Sequence, residues 1–150
     1  AGLSRFKALP HRLEWVRTIQ EVSFYNDSKA TNTDAVIRAL GCFCTPVILI
    51  LGGREKGTDF AQLKSVVTSK VKSILAIGES RSRISETFKT ICPVFEVDSM
   101  QTAVKMGFEM AQKNDAVLLS PACASFDMYD SYGHRGNDFK NIVNSLEAQR

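Results

Sequence analysis

The sequence predicts an α/β fold: a mainly parallel sheet covered by helices on both faces, with an antiparallel hairpin at one edge. Three observations carry that prediction. Short, unbroken apolar runs recur and stop at glycine or small residues, as strands buried on both faces do. Stretches with helical apolar spacing fill the gaps between them. The first two strand-like segments lie close together, only a short turn apart.

In chain order, Leu13-Glu14-Trp15-Val16-Arg17-Thr18-Ile19 alternates apolar and polar residues like a half-buried strand. Val22-Ser23-Phe24-Tyr25 follows after Gln20-Glu21, which predicts the hairpin. Ala35, Val36, Ala39 and Leu40 keep helix spacing after Thr31-Asn32-Thr33-Asp34, side chains that suit a helix N-terminus. Pro46-Val47-Ile48-Leu49-Ile50-Leu51 reads as a buried strand with Gly52-Gly53 as its exit turn. Phe60, Leu63, Val66 and Val67 predict a helix after Asp59, and Ser73 to Gly78 a second buried strand. Pro93 to Val97 is a weaker strand. Met100, Ala103, Val104, Gly107 and Met110 then predict a helix behind Asp98-Ser99. Asp115 to Ser120 closes the strand series, and Phe139, Ile142, Val143 and Leu146 form the apolar stripe of a last helix. Such alternation is Rossmann-like, and in that arrangement ligands bind beyond the carboxyl ends of the strands.

Composition narrows the function classes. The 150 residues suit one domain, and 44% hydrophobic with 23% charged residues is the balance of a soluble globular protein. Nineteen Lys and Arg against sixteen Asp and Glu are spread along the chain, unlike a nucleic-acid-binding or membrane-binding surface. No apolar run is long enough to span a bilayer and no signal-peptide core stands at the start, so a cytoplasmic protein is expected. Cys42, Cys44, Cys92 and Cys123 have irregular spacing, which predicts reduced thiols and no zinc site. With only His11 and His134 as histidines, and no carboxylate cluster beside either, no protein-held metal is expected.

The strand exits carry the unusual polar residues. Asn26-Asp27-Ser28-Lys29-Ala30-Thr31-Asn32 leaves a strand and enters a helix. Free backbone N–H groups, a lysine and hydroxyls there suit a carboxylate or phosphate; equally, the loop suits plain capping by Asp27 or Thr31. Gly52 to Asp59 places Lys56 at a glycine turn, where it pairs with an anion or is simply solvated. That turn lacks the spacing of a P-loop, and the chain has no G-x-G-x-x-G after a strand. Ser120-Pro121-Ala122-Cys123-Ala124-Ser125-Phe126-Asp127 runs from a buried strand into small residues, which let backbone approach a ligand, with Ser125 as a donor. Cys123 has no histidine near it in sequence, so a buried structural thiol is the plainer reading than a nucleophile. Arg135, before Gly136, reads either as an anion ligand or as a loop anchor.

Taken together, these segments resemble one family. Leu9-Pro10-His11-Arg12, the D-S-K-A-T-N run, Leu51-Gly52-Gly53 with Lys56 and Asp59-Phe60, the S-P-A-C-A-S run and His134-Arg135-Gly136 are similar, in order and spacing, to the C-terminal domain of the D-glutamate-adding Mur ligases. The likeness covers about Leu9 to Leu146, and the D-N-P-R signature of the ligases that add a diamino acid next is missing.

The resemblance implies an amide-forming ligase of peptidoglycan precursor synthesis. ATP, with Mg2+, would phosphorylate the carboxylate of UDP-N-acetylmuramoyl-L-alanine, and the amine of D-glutamate would attack the acyl phosphate. By the same resemblance Lys29, Thr31, Lys56 and Ser125 would hold the D-glutamate carboxylates, with backbone near Phe126 and Tyr132 helping. Arg12 would meet the ATP phosphates and Asp27 its ribose. Position 132 is Tyr where the family often has Phe. The family's UDP-binding and ATPase domains lie upstream of these 150 residues, which alone are expected to be inactive. Other Mur or folylpolyglutamate-type ligases share the expected fold, and the S-P-A-C-A-S run counts against them. A non-catalytic α/β anion-binding module is the alternative from another class.

Overall fold

Along the central strands successive buried residues face two different cores in turn, and that alternation organises the molecule. The computed structural model describes residues 9–54 and 57–148. Its elements are β1 (Glu14–Ile19), β2 (Val22–Asn26), α1 (Thr33–Gly41), β3 (Val47–Gly52), a 3-10 turn (Phe60–Leu63) leading into α2 (Lys64–Lys70), β4 (Val71–Ile77), α3 (Arg81–Phe88), β5 (Val94–Glu96), α4 (Met100–Met110), β6 (Ala116–Leu119) and α5 (Tyr132–Asn144). The six strands form one sheet in the order β1-β2-β6-β3-β4-β5. β1 pairs antiparallel with β2 at the edge, and the other neighbouring pairs are parallel.

Every residue of β3 is buried because helices cover both faces of the sheet. Val47, Leu49 and Leu51 pack on one side with Val36 and Leu40 of α1, Phe60, Leu63, Val67 and the α3 residues Ile84 and Phe88. Ile48 and Ile50 turn to the other, against Ala103, Val104 and Phe108 of α4 and Phe139 and Val143 of α5. β6 divides the same way, Leu118 to the first core and Val117 and Leu119 to the second. Each fully buried Val, Leu or Ile in such a position contributes about 2 kcal/mol.

The helix starts follow side-chain chemistry. Asn32 caps α1, its Oδ1 accepting the Ala35 N–H at 2.9 Å, so neither Asp27 nor Thr31 is the cap. Asp59 caps the 3-10 turn, Ser99 caps α4 and Ser131 caps α5. The hairpin between β1 and β2 turns on Gln20 and Glu21, both at positive φ (51° and 63°), the backbone of the tight primed turn that matches strand twist.

Two elements differ from the expectation. α3 lies where the sequence shows a polar strand exit, because only Ile84 and Phe88 of its residues are buried. Its first residues also lack the usual cap: the Ser80 hydroxyl accepts the Gly53 N–H at 3.1 Å instead. α5 begins seven residues before the first stripe residue, Phe139, and ends at Asn144, short of Leu146.

Candidate functional site

The carboxyl ends of β2, β6, β3 and β4 bring the polar loops to one edge of the sheet. β2 and β6 run in parallel register, Asn26 opposite Leu119, so their exit loops start side by side. The backbone ties the loops together: Asp27 N–H donates to the Leu119 carbonyl (2.7 Å), Ala122 N–H to Ala30 (2.9 Å), Gly52 N–H to Pro121 (2.9 Å) and Arg54 N–H to Ala124 (2.9 Å). Gly53 makes this approach possible. Its φ is +149°, and a Cβ there would stand 2.5 Å from the Ala124 carbonyl oxygen.

In the β2-exit loop Asn26, Asp27 and Ser28 are buried. Asp27 accepts the Leu13 N–H at one carboxylate oxygen (2.9 Å) and the Ser120 hydroxyl at the other (2.8 Å). Burial pushes its pKa up to about 6, against the opposing pull of those donors and of Arg12 and Arg38. Asn26 Nδ2 meets His11 Nδ1 (2.9 Å) and Glu14 Oε1 (3.1 Å), and its carbonyl oxygen accepts the Ser28 N–H. The turn ahead of β1, with His11 at φ 65° and Leu13 at φ 47°, is thereby pinned to the loop. Lys29 is half-buried. Its ammonium donates to the Tyr132 hydroxyl at 3.2 Å and lies 5.0 Å from the centroid of that ring.

Arg12 and Thr31 are exposed, and with Asp27, Lys29 and Arg38 they line a cavity of about 490 Å³. Three cations against the single carboxylate of Asp27 make it suited to anions. A second cavity of about 380 Å³ shares Thr31 and Asn32 with the first and is bounded by Arg54, Thr58 and Cys123. Arg38 and Arg54 are therefore candidate ligands that the sequence reading did not single out. Their signal was position: one follows a glycine turn at a strand exit, the other stands one turn into the helix that the β2-exit loop enters.

The β6-exit loop differs in its chemistry. Ser125 is 2% exposed and its hydroxyl has no hydrogen-bond partner, and Asp127 Oδ1 is likewise buried without one. Asp127 Oδ2 accepts the Glu79 N–H at 2.9 Å, which links the loop to the exit of β4. Phe126 is 59% exposed and Tyr132 38%. The Tyr132 carbonyl is already taken by the Ser28 hydroxyl at 2.7 Å. Lys56 lies outside the described residues.

Arg135 is the anchor among the two readings the sequence allowed. It is 3% exposed and donates to the Ser28 hydroxyl, the Ser28 carbonyl and the Cys123 carbonyl at 2.8, 2.7 and 2.9 Å. Among the described residues no three or more His, Cys, Asp or Glu side chains cluster in a way that could hold a metal ion, and no helix is long and apolar enough to cross a membrane.

Residues 11–123 match the family model described as Mur ligase, glutamate ligase domain. UDP-N-acetylmuramoylalanine–D-glutamate ligase from Solibacter usitatus is 46% identical over 149 residues, which is 99% of this chain and 34% of that protein. The enzyme of the same name from Caldicellulosiruptor saccharolyticus is 47% identical over 96% of this chain and 32% of that protein. The chain thus spans about a third of the length of these relatives. In fold it is similar to UDP-N-acetylmuramate–alanine ligase from Thermotoga maritima, with a TM-score of 0.65 at 12% identity, covering 95% of this chain and 32% of that one. The chain belongs to the Mur ligase family, whose glutamate ligase domain it carries.

Proposed function

We propose that the 150 residues form a single amino-acid-binding domain of a longer, ATP-dependent ligase that joins D-glutamate to UDP-N-acetylmuramoyl-L-alanine. UDP-binding and ATPase domains would precede it in the full-length protein. In this reading the carboxylate of UDP-N-acetylmuramoyl-L-alanine takes the terminal phosphoryl group of ATP. The D-glutamate amine then attacks the acyl carbon, and the tetrahedral adduct expels phosphate to leave the amide. Activation by phosphoryl transfer converts a poor leaving group into a good one.

What supports the reading is the chemistry of two neighbouring strand exits: Lys29 and Thr31 line the cavity at the β2 exit, and Ser125 stands on the loop that leaves the adjacent β6. Two carboxylates need cations and hydrogen-bond donors at separated points, and the partnerless Ser125 hydroxyl has a donor to give. Lys56, by its place after the glycine turn, would supply a second cation. Phe126 and Tyr132 would close the rim, with main-chain groups beside the bound amino acid. Arg12 would face the ATP phosphates. Asp27 keeps a lone pair on each oxygen after its two hydrogen bonds, which fits a ribose hydroxyl donor. Mg2+ would neutralise the phosphates, held in the main by the upstream ATPase domain.

Phosphate release from ATP by the full-length protein with UDP-N-acetylmuramoyl-L-alanine tests the reading, with D-glutamate, L-glutamate and diaminopimelate compared. Release is expected only with D-glutamate, and none from the 150-residue chain by itself. A folded full-length protein that releases no phosphate with any of the three would favour a non-catalytic anion-binding module.

A further inference from the structure

The guanidinium of Arg135 is a buried cation without a carboxylate bonded to it. Its three hydrogen bonds all end on neutral acceptors: the hydroxyl and carbonyl of Ser28 and the carbonyl of Cys123. Among the described residues no Asp or Glu stands at ion-pair distance, although the field of Asp127 reaches it. Burial pulls its pKa down to about 10, so it stays charged at neutral pH. A buried charge in this state is costly unless something answers it.

Its location says what that is. Ser28 belongs to the β2 exit, Cys123 to the β6 exit, and a Cβ on Gly53 at the β3 exit would stand 3.3 Å from Arg135 Nη1. One side chain therefore bonds two strand exits and lies close to a third, holding the residue before Lys29 on one loop and the second residue before Ser125 on the other. The Ser28 hydroxyl passes the constraint on, donating to the Tyr132 carbonyl at 2.7 Å while accepting from Arg135 Nε. The neighbouring Gly136 packs so closely on His11 and Asn26 that a Cβ would fall 2.1 Å from His11 Nδ1 and 3.0 Å from Asn26 Nδ2, which seats the start of α5 against the β2 exit.

We propose that Arg135 is a positioning residue for a dicarboxylate ligand: it fixes the spacing of the β2-exit and β6-exit loops and supplies a buried positive charge that the ligand's carboxylates offset. The proposal rests on the amino-acid-binding reading above. The residue acts through Ser28 and Cys123 and through its field, without having to touch the ligand. Its fork geometry sets the loop spacing and its charge sets the preference for an anion, so the two contributions separate by substitution. Arg135→Lys keeps the charge and loses the fork; Arg135→Met keeps the length and loses the charge.

Both variants are made in the full-length protein and checked for folding by thermal unfolding. Two readouts follow: the KM for D-glutamate in phosphate release, with D-glutamine as the competitor that has a single carboxylate, and the rise in Tm produced by glutarate. Arg135→Met is expected to raise the D-glutamate KM at least tenfold, to reduce the D-glutamate over D-glutamine preference by a similar factor, and to abolish the glutarate shift. Arg135→Lys is expected to keep most of that preference while raising the KM for both amino acids. A folded Arg135→Met protein with unchanged D-glutamate preference and an unchanged glutarate shift overturns the proposal. Should wild type release no phosphate with D-glutamate, the reaction assigned above falls, and the glutarate arm decides Arg135 alone. A wild-type shift lost in Arg135→Met supports the proposal; no wild-type shift, or one retained in Arg135→Met, overturns it. Where Arg135→Met does not fold, Arg135→Lys decides: an unchanged KM for both amino acids overturns the proposal.

Discussion

The loops that leave β2 and β6 lie side by side and treat their polar groups in opposite ways. In the first, Asn26 engages His11, Glu14 and the Ser28 N–H, Asp27 accepts at both oxygens, and Ser28 accepts from Arg135 while donating to Tyr132. In the second, the Ser125 hydroxyl and Asp127 Oδ1 are buried with no partner. An unmet buried polar group costs about 1–3 kcal/mol. Ser73 Oγ in β4 and Arg54 Nε share that state, but among the described residues only the β6-exit loop holds two such groups, on Ser125 and Asp127. The difference fits the proposed division of labour: the β2-exit loop is set in place by internal bonds, and the β6-exit loop keeps a donor and an acceptor that the proposed ligand would use.

Breaking the frame should have the largest effect. Ser28→Ala removes the acceptor of Arg135 Nε and the donor to the Tyr132 carbonyl in one change. Because the group left without a partner is charged and buried, a loss of about 3 kcal/mol in unfolding free energy is expected. Denaturant unfolding measures it. A loss near zero would mean that the loop is held mainly by its backbone contacts to Leu119 and Ala30's partner Ala122.

Asp27 sharpens the same comparison through pH. Its folded pKa, about 6, lies above the ordinary 3.8, so the folded state binds the proton more tightly than the unfolded state. Between those values the native state holds more protons, and its stability falls as pH rises from 4 to 6 and remains lower above that. The term amounts to roughly 3 kcal/mol for a shift of this size in a buried group. Asp27→Asn should remove it: the variant loses less stability than wild type between pH 4 and pH 7. Equal pH dependence in the two proteins would place the ionised carboxylate in a better solvated setting than its burial indicates.

The sequence made the frame's backbone legible and left its side-chain bonds hidden. The strands of the central sheet follow from their apolar runs, because burial on both faces leaves little room for polar residues in Val47–Gly52 or Ala116–Leu119. α3 was not legible, since its two buried residues give too short a stripe and the Ser80 hydroxyl serves Gly53 in place of a cap. Lys29 and Thr31 could be singled out because a strand exit fixes where its loop goes, whereas Arg12, ahead of β1, came only with the family resemblance. That Ser28 and Arg135 are joined across 107 residues depends on tertiary packing, which no local pattern encodes. The same holds for the missing partner of Ser125: a serine among small residues looks alike whether its hydroxyl is bonded or idle.

The smallest expected change in stability is also the most discriminating. Ser125→Ala removes a buried hydroxyl that has no hydrogen-bond partner, so the unfolding free energy should move by no more than about 0.5 kcal/mol in either direction. In the full-length protein the same change should raise the KM for D-glutamate at least tenfold, because a neutral donor to a carboxylate is lost only when the ligand is present. The pair of numbers carries the argument. A stability loss near that of Ser28→Ala would show that Ser125 belongs to the frame. An unchanged KM beside an unchanged stability would detach Ser125 from the ligand and leave Lys29 and Thr31 to hold it from the β2 side.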